Sequence, residues 1–352
     1  MPRRTRKSPR EKDLTARYLS GGLDEDRLND QQRSGESSSD SQHQKMMKTA
    51  LLRAADEECS ARIEALPIGQ VTQVYSLFID VACEGQTWLC VVRKMLTQIS
   101  DTAVVVGDYV RIQTIGTVHD TGKPEAVIEA VLPRKTLLTR TESLRSQVQH
   151  PIVANAQQML IVASIVQPAA KWGLVDRMIV AAQAGGLAPI LCINKIDLVQ
   201  SLPGTQQVWD EAQEVLDHYR HLGIDVLQTS VIRNEGISEL KDRLHDQVTV
   251  LAGHSGVGKS SLIGTVQPGL NLRVGEISRF TNKGRHTTTS ARSYNLDIGG
   301  QVIDTPGVKH FGLWGVTIDN VTDFFPDVAD GEGPDWRRQS YQRIARSLQQ
   351  ED

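Results

Sequence analysis

The chain has 352 residues, 39% hydrophobic and 23% charged, with a formal net charge of −3. That is enough for about two domains and suits a soluble globular protein with some unstructured tail, not one whose whole surface is built to hold nucleic acid. No apolar run approaches the roughly 18 residues needed to span a bilayer. The basic opening lacks the apolar stretch of a secretory signal, so a cytoplasmic protein with no membrane partner is expected.

In chain order, residues 1–65 read as an unstructured polar extension. "RSGESSSDSQHQ" offers too little apolar surface to offset its ordering entropy. The opening "MPRRTRKSPREK" is either an arm that grips phosphate backbone or a solvated tail. "MMKTALLRAADEECSARIEAL" has the pattern of a short helix.

Residues 66–133 change texture. "GQVTQVYSLFIDVAC", "QTWLCVVRK", "AVVVGDYVRIQTI" and "EAVIEAVLP" are short, β-branched and partly alternating, with turn residues between them. About five strands without a long helix suggest a small β-barrel of the OB type, although another small barrel or a sandwich fits the same pattern. Residues 134–150, "RKTLLTRTESLRSQVQH", read as a basic polar linker.

Residues 151–318 alternate strand and helix, which implies a mostly parallel sheet covered on both faces. "QMLIVASIV", "APILCINKID", "IDVLQTS" and "VTVLAGHSG" are the apolar strands. "LVDRMIVAAQAGG" and "QQVWDEAQEVLDHYRHLG" are the main helices, the first stopped by Gly185 and Gly186. Residues 319–352 form a short helical region, with Trp336, Tyr341, Ile344 and Leu348 about one turn apart. The four cysteines, Cys59, Cys83, Cys90 and Cys192, show no metal-ligand spacing and read as reduced thiols.

Gly253, His254, Ser255, Gly256, Val257, Gly258, Lys259 and Ser260 match G-x-x-x-x-G-K-[ST] at every fixed position, with Ser261 next. A strand precedes the match and a helix follows, as a phosphate-binding loop requires. The glycines let the backbone aim N–H groups at phosphate oxygens. Lys259 reaches the β- and γ-phosphates and Ser260 ligates Mg²⁺.

"NKID" follows a strand end. There Asn194 and Lys195 hold the loop and stack along a base, and Asp197 accepts two hydrogen bonds from a guanine edge. Adenine lacks that donor pair, so the carboxylate would be left unpaired. Thr229, Ser230 and Val231 follow the next strand, at the place of a third base-contacting loop. "VIDTPG" puts Asp304 at the Mg²⁺ shell and the Gly307 N–H at the γ-phosphate. Between lies "NKGRHTTTS", where Thr288, favoured over Thr287 and Thr289, completes the Mg²⁺ shell.

The phosphate loop stands after the base-reading loops, the reverse of the usual GTPase order. Joined through the helix "GISELKDRLHD", the five motifs fall into one consistent cyclic order. One GTPase domain, circularly permuted at a surface loop, explains this. A kinase or ATPase with a phosphate loop is the rival, and "NKID" argues against it.

With "VGDYV", "VLPRKTLLTR", "NKID", "GHSGVGKSSLI", "KGRHTTT" and "DTPG" in this order, residues 68–325 resemble the RsgA/YjeQ family, circularly permuted GTPases of small ribosomal subunit biogenesis. The resemblance implies a barrel, then the GTPase domain, then a C-terminal domain. It implies a GTP hydrolase that uses Mg²⁺, binds GTP and GDP, and works as a monomer on the maturing small subunit and its rRNA. A nucleotide-gated ribosome-binding module with vestigial hydrolysis is the alternative. Family members carry a Cys/His zinc loop after "FFP". Here the corresponding stretch has neither Cys nor His, so zinc is not expected. Val308 occupies the position where many GTPases place a water-orienting Gln. His286, in the Thr loop, is therefore the candidate catalytic group beside Lys259, and the resemblance suggests the same position.

Overall fold

The structure, a computed structural model, describes residues 61–75, 77–93, 103–141, 149–270, 272, 291–305 and 311–349. Contacts divide the chain at Arg62, and the architecture described here is that of the second unit, Ile63–Asp352. The expected helix in the N-terminal extension lies almost entirely outside the described residues.

Strands β1 (Ile68–Val74), β2 (Ile79–Cys83), β3 (Gln86–Val92), β4 (Tyr109–Val118) and β5 (Pro124–Val131) close on themselves. The closure runs β1-β2-β3-β5-β4 and back to β1, with β3 and β5 parallel and the other pairs antiparallel. Closure leaves no free edge within the barrel. Alternating Val71, Ile79, Val81, Cys90, Ile112 and Ile128 point inward and fill it. The OB-type barrel expected from strand patterning is the observed one.

The stretch 134–150, expected as a polar linker, carries regular structure. It contains β6 (Leu137–Thr141), which pairs antiparallel with β7 (Gln149–Ala154). Leu138 and Thr139 are 1% and 0% exposed. The flanking basic residues masked a "LLT" core that packs as a strand. Arg134 is not solvated either: its guanidinium donates to both carboxylate oxygens of Asp108 at 2.7 and 2.8 Å. The Ala154 N–H then donates to the Val106 carbonyl at 2.9 Å, fastening the β6–β7 pair to the barrel.

Beyond it the chain builds β8 (Gln158–Ala163), α1 (Trp172–Ala184), β9 (Ala188–Asn194), α2 (Ile196–Ser201), α3 (Gln206–His221), β10 (Asp225–Thr229), α4 (Ile237–Leu244), β11 (Val248–Ala252), α5 (Lys259–Val266), β12 (Arg292–Asn295) and β13 (Gln301–Asp304). The spatial order is β10-β9-β8-β11-β13-β12, parallel from β10 to β13. The phosphate-loop strand β11 thus sits between β8 and β13, although it follows β8, β9 and β10 in sequence. α4 makes the connection that the permutation requires. β8 is buried at all six positions, as a strand covered on both faces must be. Gln73 of β1 pairs with Arg292 of β12, joining barrel and sheet.

After a 3₁₀ turn (Val321–Phe324) and α6 (Pro326–Ala329) comes α7 (Asp335–Gln349). The C-terminal region is not a separate layer, because Phe325, Ile344 and Leu348 share one core with α1, α3 and β8. At its centre lies Arg337, which the hydrophobic spacing alone did not flag. It is 2% exposed and pairs with Asp176 of α1 and Asp327. Asp176 also accepts the Tyr219 hydroxyl at 2.7 Å, and His218 meets Asp327 at 2.8 Å. The Arg337 guanidinium lies 4.3 Å from the Phe325 ring centroid. Such a network fixes how α7 sits, since either partner left alone would be a buried unpaired charge.

Candidate functional site

The strand ends of β9, β10, β11 and β13 converge on one edge of the sheet, the carboxyl edge where open α/β sheets bind ligands. The turn after β11 needs its glycines. Gly253 has φ 134°, and a Cβ there would lie 2.2 Å from the Val162 carbonyl oxygen of β8. Gly258 has φ 95°, and a Cβ there would meet the Asn194 side-chain nitrogen at 2.5 Å. Any side chain at 258 would push the two loops apart.

Within the turn His254, Ser255 and Gly256 are exposed, and Val257 is the buried anchor. The His254 ring nitrogen Nδ1 lies 2.9 Å from the Ser255 carbonyl oxygen. Lys259 opens α5, and its ammonium donates to the carbonyls of Gly253 and His254 at 2.8 and 3.1 Å. Burial lowers the Lys259 pKa against the opposing pull of Asp304. Burial likewise raises that of Asp304, against Lys259 and the Thr305 N–H. Asp304 ends β13 in register with Leu251 of β11, so its carboxylate stands beside the phosphate loop. Ser260 is half-buried in the first turn of α5, and Ser261 is exposed next to it.

The base-side loops are bonded into one unit. Asn194 donates to the Val257 carbonyl at 2.9 Å and accepts from the Thr229 hydroxyl at 3.2 Å. Lys195 adopts φ 65°, and its ammonium donates to the carbonyls of Gln167 and Gly256 at 2.7 and 2.6 Å. The Ser230 hydroxyl donates to Asp197 Oδ1 at 2.6 Å and accepts the Arg233 N–H at 3.1 Å. Asn194, Asp197, Thr229 and Ser230 are 2%, 6%, 0% and 0% exposed. Val231 is half-buried at the start of the same turn. The expected site residues from 194 to 261, with Asp304, are therefore brought to one edge. His286, Thr288 and Gly307 lie outside the described residues.

The turn after β8 escaped the sequence reading. Its Gln167 carbonyl holds Lys195, and Pro168 lies against Gly256. The signal was available: β8 neighbours β11 in a parallel sheet, so the loop leaving its carboxyl end must border the site.

The family model described as RsgA GTPase matches residues 131–314. A curated relative from Ectopseudomonas mendocina, named Small ribosomal subunit biogenesis GTPase RsgA, is 40% identical over 247 residues, or 70% of this chain and 66% of the relative. The chain spans between 53% and 66% of the length of the curated relatives it first matches. Among solved structures, YjeQ from Thermotoga maritima is similar with a TM-score of 0.61 and 27% identity, over 80% of this chain and 98% of that one. YloQ, described as a circularly permuted GTPase, shares the fold with a TM-score of 0.58 at 23% identity, over 82% of this chain and 97% of its own.

Proposed function

The chain belongs to the RsgA GTPase family, and from that premise we propose that it hydrolyses GTP while bound to the maturing small ribosomal subunit and its rRNA. The observation that carries the reading is the Asp197–Ser230 pair. A carboxylate 6% exposed has one oxygen taken by a serine hydroxyl, at a strand end tied through Asn194 to a complete phosphate loop. A desolvated carboxylate fixed in this way demands two donors from its ligand. Guanine supplies them and adenine does not.

The geometry supports these roles for the described residues, and the sequence motifs support those of Thr288 and Gly307. Asp197 reads the base, and Thr229, Ser230 and Val231 support it. Asn194 and Lys195 hold the base loop against the phosphate loop. Backbone N–H groups from Gly253 to Ser261 cradle the phosphates, with Lys259 turning from its loop carbonyls to the β- and γ-oxygens. Ser260 and Asp304 offer hard oxygen donors on either side of Lys259, and this set fits Mg²⁺. Thr288 completes it and the Gly307 N–H meets the γ-phosphate. When bound, Mg²⁺ neutralises charge that builds on the transferred phosphoryl group.

His286 orients the attacking water, because Val308 cannot. Docking on the subunit aligns it, so turnover alone is slow. No zinc is held, and Cys83, Cys90 and Cys192 are structural. All three are buried, and the stretch after "FFP" offers neither Cys nor His from which to build a zinc site. The protein acts as a cytoplasmic monomer. No helix among the described residues is long and apolar enough to cross a membrane.

The test is multiple-turnover GTP hydrolysis by the full chain, with and without purified small ribosomal subunits. Strong stimulation by subunits is expected. Equal turnover with and without them would overturn the ribosomal part of the reading.

A further inference from the structure

We propose that the amino edge of the α/β sheet carries a binding site for an aliphatic polyamine. A cavity of about 330 Å³ lies there, where β8, β9 and β10 begin and α4 runs into β11. Strands of five to seven residues separate it from the nucleotide loops at the carboxyl edge, a distance of about 20 Å.

The lining asks for a cation. Asp225 of β10 and Asp242 near the end of α4 present exposed carboxylates. Asp242 enters no hydrogen bond or ion pair among the described residues. Asp225 meets Arg243 Nη1 at 3.6 Å, longer than the roughly 2.8 Å of a good charge-assisted bond. α4 also ends at the cavity, and the last carbonyls of a helix carry partial negative charge.

Two surface carboxylates alone are a solvated patch. Gln158 makes the difference. It is 8% exposed, and its Nε2 donates to the Arg243 carbonyl at 2.7 Å and to the Thr249 hydroxyl at 2.8 Å. Those two bonds fix which way the amide faces. They leave Oε1 in the cavity lining, where it accepts no hydrogen bond among the described residues. A buried acceptor held in this way is satisfied by a donor from outside the chain.

The same lining selects among cations. No group of three or more His, Cys, Asp or Glu able to hold a metal ion occurs among the described residues, and the cavity is far larger than a bare ion. Ala188, Pro189 and Ile190 of β9 give it an apolar stretch that suits methylene groups. A methylene chain between ammonium groups brings donors to Asp242, to Gln158 Oε1 and, in exchange for the loose Arg243 contact, to Asp225. Arg243 is thus the cation that the ligand displaces. His245 also lines the cavity, with its Nδ1 3.3 Å from Asp246 Oδ2. An anionic ligand would meet two carboxylates and is disfavoured.

The inference needs neither GTP nor the ribosome, so it stands or falls apart from the functional reading. The probe is spermidine, titrated calorimetrically into the full chain in excess Mg²⁺ and physiological salt. One site per chain is expected, with putrescine binding more weakly and butylamine, which has a single ammonium, weakest. Asp242→Asn and Asp225→Asn should each weaken spermidine about tenfold, the scale of one charge-assisted hydrogen bond. Arg243→Gln should tighten it by freeing Asp225. Asp210→Asn/Glu214→Gln, on exposed positions of α3, should change it little. All the substituted side chains are exposed, so melting temperature without ligand and GTP affinity should match wild type. Absence of one-to-one binding overturns the proposal, as does an equal loss in the α3 variant. So does equal affinity for spermidine and butylamine, or weaker spermidine binding in Arg243→Gln.

Discussion

The two halves of the proposed nucleotide site are held in different ways. On the base side the functional groups are buried and bonded to each other: Asp197 to Ser230, and Asn194 to both Thr229 and Val257. On the phosphate side the loop tip from His254 to Gly256 is exposed, and the hydrogen bonds of the Lys259 ammonium among the described residues go to backbone carbonyls of its own loop. On the proposed reading, recognition of the base is thus built into the fold. Binding of phosphate requires Lys259 to exchange two bonds for others. Selectivity should therefore be rigid and sensitive to single atoms, while the hydrolytic half is open to control from outside.

The largest effect should come from the rigid half. Asp197→Asn can keep an oxygen for the Ser230 hydroxyl, but then turns an NH2 toward a guanine edge that also carries donors. GTP affinity should fall roughly a thousandfold, with xanthine nucleotide gained, in a competition titration. Wild-type GTP affinity in this variant would remove the loop from base recognition.

On the open half, His286→Ala should leave nucleotide and subunit binding intact and lower subunit-stimulated kcat about a hundredfold. Unchanged stimulated turnover would move the missing group to the ribosome.

A smaller loss, about tenfold in GTP affinity, is expected for Ser230→Ala. It removes one charge-assisted hydrogen bond and keeps the carboxylate. An equal loss of ATP and GTP affinity would show that Ser230 serves the loop and not the discrimination.

The smallest effect should fall outside both halves, on the α7 latch. Burial pushes the Asp327 carboxyl up. Hydrogen bonds from Arg337 and His218, with their charges, outweigh this and hold it below its usual value. A lowered folded-state pKa means stability that is present above the unfolded carboxylate pKa of about 3.9 and lost as pH falls through the lowered value. Asp176 behaves oppositely. Burial outweighs Arg337 and raises it, so its contribution changes above the unfolded value and not below. Melting temperature should therefore drop in wild type below about pH 4 and drop less steeply there in Asp327→Asn, with guanine selectivity the same in both at neutral pH. The same acid slope in both would separate Asp327 from the latch.

Most of this was legible in the sequence because it lies in local patterns. The phosphate loop, "NKID" and "VIDTPG" each stand at the end of an apolar run, and the sheet puts those ends together. The barrel showed through its turn spacing. What escaped depends on distant partners. Arg337 reads as one more surface arginine in "DWRRQS" until Asp176, Asp327 and Phe325 surround it. β6 hid among basic residues because burial of "LLT" needs β7 and the barrel together. Gln167 contributes only a backbone carbonyl, which no side-chain motif records.

The central claim is that motifs in reversed chain order close one guanine-specific site. Competition of GTP against ATP on the wild-type chain, with Mg²⁺ present, tests it most directly. The account predicts GTP preferred by at least about a thousandfold, the scale expected where a buried carboxylate would be left unpaired by the wrong base. Comparable affinity for the two nucleotides would contradict it.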